Sequence, residues 1–387
     1  MIIGTFMHKQ LRTLLASAGL ALALAGGVQA QPIKIAAIVE LSGPGATPGT
    51  HFKNGVELAV NEINATGGIL GRKIELTSVD TQSNPGTAKS MTAKAIGESV
   101  FAVFGPVFSG SILVSMAETR RAEVPNFTGG EAAAITKQGN PYIFRTSFSQ
   151  DTSMPRVARY IADKLKARTV ALIYVDNDFG RGGRESLVKS LEPLGVKIAA
   201  DISTGQNQLD FSAAVVKAKQ SNADVVFVYT NEEESARALR ELRKQGVAKP
   251  VVGETVLTSQ KVIELAGDAA NGAIAHVGLT VEAPLPTVRA FRSRFEKEYG
   301  YIPDHNGLKG YSGIFIMKAA IEKVGKVDRK AVAQALHGLS VSAAQNPGVL
   351  MDVRIDANGD LDRESFMTEA RNGKQEVKEI LPALGVK

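Results

Sequence analysis

The chain has 387 residues, 44% of them hydrophobic, with 45 Lys and Arg against 39 Asp and Glu and no Cys. That length is enough for two domains of ordinary size. A chain without Cys has no disulfides, no thiolate metal site and no lipobox Cys for a lipid anchor, and the basic excess is dispersed rather than gathered into a stripe for nucleic acid.

The first 30 residues read as a secretory signal peptide. His8, Lys9 and Arg12 precede the apolar run 14–25, and Val28-Gln29-Ala30 supplies a small-x-small cleavage site. The run is too short for a hydrocarbon core about 30 Å thick, which takes roughly 20 residues. No later run reaches that length. Removing Lys9 and Arg12 with the leader leaves 43 basic and 39 acidic residues, a net charge of +4. The expected location is the periplasm, reached through a cleaved signal peptide and without a lipid anchor.

Short β-branched runs then alternate with helical stretches. Residues 33–39, 74–79 and 100–104 read as strands, and between the first two a helix shows its apolar face at Val56, Ala59, Val60 and Ile63, spaced i, i+3, i+4, i+7. The rhythm restarts with strand 170–175, helix 182–194 ended by Gly195, strand 196–200, helix 210–220 and strand 225–229. Helices around Val288, Phe291 and Phe295, then over 313–324 and 329–339, follow with too few strands for a third core. Such β-α-β alternation means parallel sheets covered on both faces. The expected fold class is α/β, with two doubly wound parallel-sheet lobes.

Ligands of such sheets bind beyond the carboxyl ends of the strands. Three predicted strand ends are rich in Gly, Ser and Thr: Leu41-Ser42-Gly43-Pro44-Gly45-Ala46-Thr47, Gly105-Pro106-Val107-Phe108-Ser109-Gly110-Ser111, and Phe127-Thr128-Gly129-Gly130-Glu131. The first two precede predicted helices, where exposed N–H groups and hydroxyls suit a carboxylate. Three such loops at one edge of one lobe point to a ligand site.

In their order and spacing, Leu41-Ser42-Gly43-Pro44, Asn54-Gly55, Glu62-Ile63-Asn64-Ala65-Thr66-Gly67-Gly68-Ile69, Phe144-Arg145-Thr146, Asp176-Asn177-Asp178-Phe179-Gly180, Asp210-Phe211-Ser212 and Ala266-Gly267-Asp268-Ala269-Ala270-Asn271-Gly272 carry a resemblance. The chain resembles the class I periplasmic solute-binding proteins of the leucine/isoleucine/valine type, recognition subunits of ATP-binding cassette importers, over residues 33–361. The resemblance implies a hinge of three crossings at Phe148, Gly278 and Asp356. Residues 31–148 with 279–355 then form the first lobe, and 149–278 with 356–387 the second. A ligand is caught between them by hinge closure. The resemblance also implies that Ser109 and the loop Gly129-Gly130-Glu131 hold a ligand's carboxylate and ammonium, that Phe179 covers it, and that an acid near Glu254-Thr255 completes the ammonium site. With Thr47, Phe108 and Asn231, the expected ligand-binding set is Thr47, Phe108, Ser109, Gly130, Glu131, Phe179, Asn231, Glu254 and Thr255. An inner-membrane permease is the implied partner of a monomer that needs no cofactor, no metal and no nucleic acid.

Two departures bear on the ligand. Glu131 stands where amino-acid binders carry Thr, and an ungapped match puts Thr255 where they carry the second-lobe Glu, with Glu254 one position early. Either Glu131 takes over the ammonium, or the ligand is not an α-amino acid and is an amide or urea-like solute, a polyamine-like cation or an aromatic acid. The expected function is capture of a branched-chain or related amino acid for import. A sensor feeding a membrane receptor uses the same fold and stays open. An enzyme is disfavoured: His51, His276, His305 and His337 lack metal-binding spacing, Gly43-Pro44-Gly45-Ala46-Thr47-Pro48-Gly49 is no dinucleotide fingerprint, and no G-x-S-x-G elbow occurs. His51 is placed to line the cleft mouth, and Glu232-Glu233-Glu234 reads as a solvated helix start.

Overall fold

A computed structural model describes residues 31–385, so the signal-peptide assignment lies outside the described residues. Strands β1 (Ile33–Val39), β2 (Ile74–Asp80), β3 (Ala102–Phe104), β4 (Asn126–Thr128) and β5 (Ile143–Arg145) form one parallel sheet in the order β2-β1-β3-β4-β5. Strands β6 (Thr169–Val175), β7 (Lys197–Thr204), β8 (Val225–Tyr229), β9 (Val251–Glu254) and β10 (Ala273–Val277) repeat that order as β7-β6-β8-β9-β10. Strands β1 and β8 are buried almost throughout, whereas the edge strands β2 and β7 are half exposed. A parallel sheet covered by helices on both faces has that signature. The two doubly wound lobes expected from the sequence are therefore present.

The C-terminal segment serves both lobes. Helices Pro286–Tyr299 and His305–Val324 join the core of the first lobe, the latter lying along helix Ala46–Ala65. Strands β11 (Ser340–Val341), β12 (Val353–Ile355) and β13 (Leu361–Asp362) make a small antiparallel sheet against the same core, and β14 (Ser365–Arg371) and β15 (Lys374–Leu381) extend the second sheet antiparallel to β10. The chain thus passes between sheets after β5, after β10 and at Arg363-Glu364. The last passage lies beyond Asp356, because Asp356 closes the β12–β13 turn by accepting the N–H groups of Asn358 and Asp360. All three passages meet at Phe148: a methyl group on Gly278 would fall 2.2 Å from its ring, the Arg363 guanidinium lies 5.6 Å from the ring centre, and His276 stands edge-on at 5.8 Å.

Helix His305–Val324 begins eight residues before the predicted Gly313. Its early glycines explain the difference. They are poor helix formers by propensity, yet a methyl on Gly310 would lie 2.2 Å from the Phe52 carbonyl, and one on Gly55 would lie 2.0 Å from that of Gly307. Close approach of the two helix backbones outweighs the propensity cost, and Asp304 secures the start by accepting the N–H groups of Asn306 and Gly307.

Candidate functional site

In the order shared by both sheets, successive strands are added on opposite sides of β1 and of β6, so the topology switches between β1 and β3 and between β6 and β8, which opens a crevice at their carboxyl ends. Both crevices face one cavity of about 290 Å³. The first lobe contributes Pro48, the segment 107–111 and Gly129-Gly130-Glu131, and the second contributes Asp176 to Phe179 and Asn231-Glu232. The lobes close on each other beside it, a methyl on Gly110 being 3.1 Å from Asp178 Oδ2.

Of the expected set, Phe108, Ser109, Gly130, Glu131, Phe179 and Asn231 line this cavity. Thr47 does not; it is half-buried in the first turn of its helix, and Pro48 takes the lining position. Thr255 faces a separate small hollow and donates to Glu254 Oε1 at 2.7 Å. Glu254 sits behind the lining, held also by His276 Nδ1 at 3.3 Å.

Buried side chains fix the first-lobe loops. Glu40 accepts the N–H groups of Val107 and Phe108 at 3.0 and 3.2 Å, so the donors left for a ligand are those of the first turn of helix Ser109–Arg121. Ser109 Oγ accepts the N–H of Ala132 at 3.2 Å, tying that turn to the Glu131 loop. Arg145, fully buried, donates to the Gly130 and Ala132 carbonyls and to Asp360, while Ser147 donates to Gly130 at 2.7 Å. Gln150, at the first passage, spans the lobes: its N–H meets the Glu131 carbonyl at 2.9 Å and its amide meets the Phe179 carbonyl at 2.8 Å and Tyr229 Oη at 3.0 Å. Phe179 stacks on Tyr229 at 4.2 Å.

The electrostatics centre on Glu131. Its Oε1 accepts from Lys309 Nζ at 3.0 Å, and Lys309 also donates to the Gly129 carbonyl at 3.2 Å. Its second oxygen and that of Glu254 have no donor among the described residues, although the two carboxyl groups lie within hydrogen-bonding reach of each other. Burial and the neighbouring Glu254 charge push Glu131 up to about 6, and burial likewise raises Glu254. Two carboxyl groups so placed share a proton unless a cation enters between them. Glu232, expected in solvent, is buried at the cavity wall, and burial pushes it up to about 7. The notion of a solvated helix start fails because its neighbour Glu234 is the capping residue, closing a capping box with Asn231, and the helix docks end-on at the cleft.

Sequence reasoning missed His305, Asn306 and Lys309, which all line the cavity. The signal available was Asp304 as an N-cap after Pro303, which would have started the helix early enough to bring them in. Burial and the Lys309 ammonium hold His305 neutral, down at about 4. His51 lies away from the lining; its Nδ1 is 3.1 Å from Asp304 Oδ1, and its ring packs on Tyr301 at 4.7 Å. Among the described residues no group of three or more His, Asp and Glu is placed to hold a metal, and no helix is long and apolar enough to cross a membrane.

The sequence profile of the periplasmic binding protein family matches residues 32–375. The Leu/Ile/Val-binding protein BraC3 of Rhizobium johnstonii is 29% identical over 359 residues, 92% of this chain and 96% of that one. The leucine-, isoleucine-, valine-, threonine- and alanine-binding protein of Pseudomonas aeruginosa is 26% identical over 354 residues, 89% of this chain and 92% of that one. Among solved structures, the branched-chain amino acid transporter substrate-binding protein LivJ of Streptococcus pneumoniae, in complex with isoleucine, superposes with a TM-score of 0.82 at 27% identity, over 91% of this chain and 99% of that one. A benzoate-bound solute-binding protein from R. palustris shares the fold with a TM-score of 0.83 at 22% identity, over 92% and 98%. With two repeated sheets, a cavity between them and a family match over nearly all described residues, the chain belongs to the periplasmic binding protein family.

Proposed function

We propose that the protein captures an amino acid between its lobes outside the cytoplasm and presents it to the permease of an ATP-binding cassette importer. The observation that carries this reading is the Glu131–Glu254 pair, one carboxyl from each lobe, each with a buried oxygen that lacks a donor. A ligand ammonium between them would replace the shared proton and would bind only when both lobes are present, which couples recognition to closure. The carboxylate of the same ligand would meet Ser109 and the first-turn N–H groups of its helix, where the dipole favours an anion. Phe179, backed by Tyr229, would cover it.

Lys309 favours a second reading. It is a buried cation in the lining, and an aromatic acid lying between Phe108 and Phe179 could place its carboxylate there. One thermal-shift screen of the mature protein against amino acids, amines, amides and aromatic acids separates the two. A ligand bound only by the folded protein adds about 2.7 kcal/mol of stability at a hundredfold excess over Kd. Stabilisation by benzoate-like acids with none from any amino acid would reject the amino-acid reading.

A further inference from the structure

The inference that follows rests on the amino-acid reading and concerns the other end of the ligand. We infer that the solute's tail carries a cationic nitrogen, an amine or guanidinium, received by Glu232 of the second lobe and Asn306 of the first. Relatives are named for leucine, isoleucine and valine, one of them also for threonine and alanine, and an aliphatic tail calls for an apolar wall. Here the apolar side chains of the lining are confined to Pro48, Pro85, Val107, Phe108, Phe179 and Val256, and helix His305–Val324 contributes only the polar side chains of His305, Asn306 and Lys309.

Asn306 is 1% exposed, and its Oδ1 has no donor among the described residues. The orientation of its amide is fixed. Nδ2 donates to Asp304 Oδ2 at 3.2 Å, and turning the amide over would set two oxygens against each other. Asp304 cannot supply a proton instead: although burial opposes ionisation, His51 and the Asn306 amide hold its carboxyl well below the usual range. Across the cleft Glu232 is 7% exposed and lines the cavity. It lies within electrostatic reach of Asp304 and Lys309, which flank Asn306; its own backbone N–H and the Lys309 charge favour its ionised form, and burial and the Asp304 charge oppose it.

The cations already present are committed elsewhere. Lys309 is engaged by Glu131 and the Gly129 carbonyl, and Arg181, at the exposed rim, is held by Asp176 and Asp178. A buried carboxyl group and a buried amide oxygen that lacks a donor therefore line the same cavity, one from each lobe. A tail with several N–H groups and a positive charge satisfies both, whereas an aliphatic tail would leave the amide oxygen unpaired and the carboxylate without a countercharge. The stem of such a tail would lie between Phe108 and Phe179.

Calorimetry on the mature protein with ornithine, lysine, arginine, glutamine and leucine tests this. At least one of the three cationic amino acids should bind ten times tighter than glutamine or leucine. Glu232→Gln should cost that ligand thirtyfold or more while changing any binding of glutamine or leucine less than threefold, and Glu232→Asp should keep the preference for the cation. Leucine or glutamine binding as tightly as any cationic solute would overturn the inference while leaving the amino-acid reading intact. So would a Glu232→Gln variant of normal thermal stability that binds the cationic solute unchanged. Failure of every amino acid to bind would overturn the reading beneath it and this inference together.

Discussion

Glu131→Gln is the most informative single change, because it acts on the empty and the occupied protein with opposite signs. In the empty protein Glu131 is pushed from an ordinary 4.5 up to about 6 by burial and by Glu254, with Lys309 working in the other direction. A carboxyl raised in the folded state carries no penalty below about pH 4.5 and the full penalty above about 6, so it makes the fold lose stability as pH rises through that window. At 1.36 kcal/mol per pH unit the loss is about 2 kcal/mol. Gln keeps an acceptor for Lys309 and offers Glu254 an amide donor, so the variant should lack this loss. Its unfolding free energy should fall between pH 4.5 and 6.5 by about 2 kcal/mol less than that of the wild type. In the occupied protein the same amide competes with the ligand's ammonium for Glu254, and truncating one member of a buried charged contact costs about 2–5 kcal/mol. Affinity at pH 7 should therefore drop thirtyfold or more. Denaturant melts across pH and calorimetry at pH 7 read both effects. A variant with the wild-type pH slope and unchanged affinity for an amino acid would remove Glu131 from the site and refute the shared-proton account.

Lys309→Met should destabilise the empty protein by about 3–5 kcal/mol at pH 7, the cost of stripping a buried pair of one partner. The defect should shrink toward pH 5 as Glu131 takes up a proton; equal destabilisation at both pH values would assign the loss to packing alone. Ser109→Ala should weaken binding by about 1.5–3 kcal/mol, the range for a hydrogen bond to a charged group. It should also lower the stability of the empty protein by about 1 kcal/mol, because Ser109 Oγ is the acceptor for the Ala132 N–H; unchanged calorimetric affinity would place the ligand elsewhere. Small-angle scattering should show a larger radius of gyration without ligand than with it, since the cavity is divided between two lobes whose connections meet at Phe148; identical profiles would argue for a preformed pocket.

The repeated sheets were legible because parallel strands buried on both faces must be written as continuous apolar runs. Residues 225–229 are assigned the same limits by sequence and structure, and β6 differs from its expected range by one residue. Legibility fades where tertiary packing overrides local preference. The strand Lys197–Thr204 runs four residues past its expected end because an edge strand alternates with polar residues that read as loop. The third passage moved from Asp356 to Arg363 because the small β11–β13 sheet has strands of only two or three residues, too short for a periodicity to register.

The site was half legible for the same physical reason. Gly130 and Glu131 sit on a loop next to a strand end, and Ser109 and Phe179 on the first turns of helices that follow such loops, where Gly and hydroxyl residues advertise a crevice. His305, Asn306 and Lys309 sit on a helix whose first turns look unhelical, since they carry Gly307 and Gly310, the latter required by contact with helix Ala46–Ala65 rather than favoured by propensity. That contact sets the register of the helix. Four and three residues before Lys309 on one helical face, His305 and Asn306 reach the cleft with it, while Gly310 turns toward Phe52 and the Gly307 carbonyl toward Gly55. Two sets of residues thus interleave with helical spacing, one keeping the backbones close and the other supplying a cation and an acceptor to the ligand. A run of glycines within a charged and amide-bearing segment is therefore better read as a packed helix presenting a site than as a loop, and the N-cap Asp304 is the residue that decides between the two.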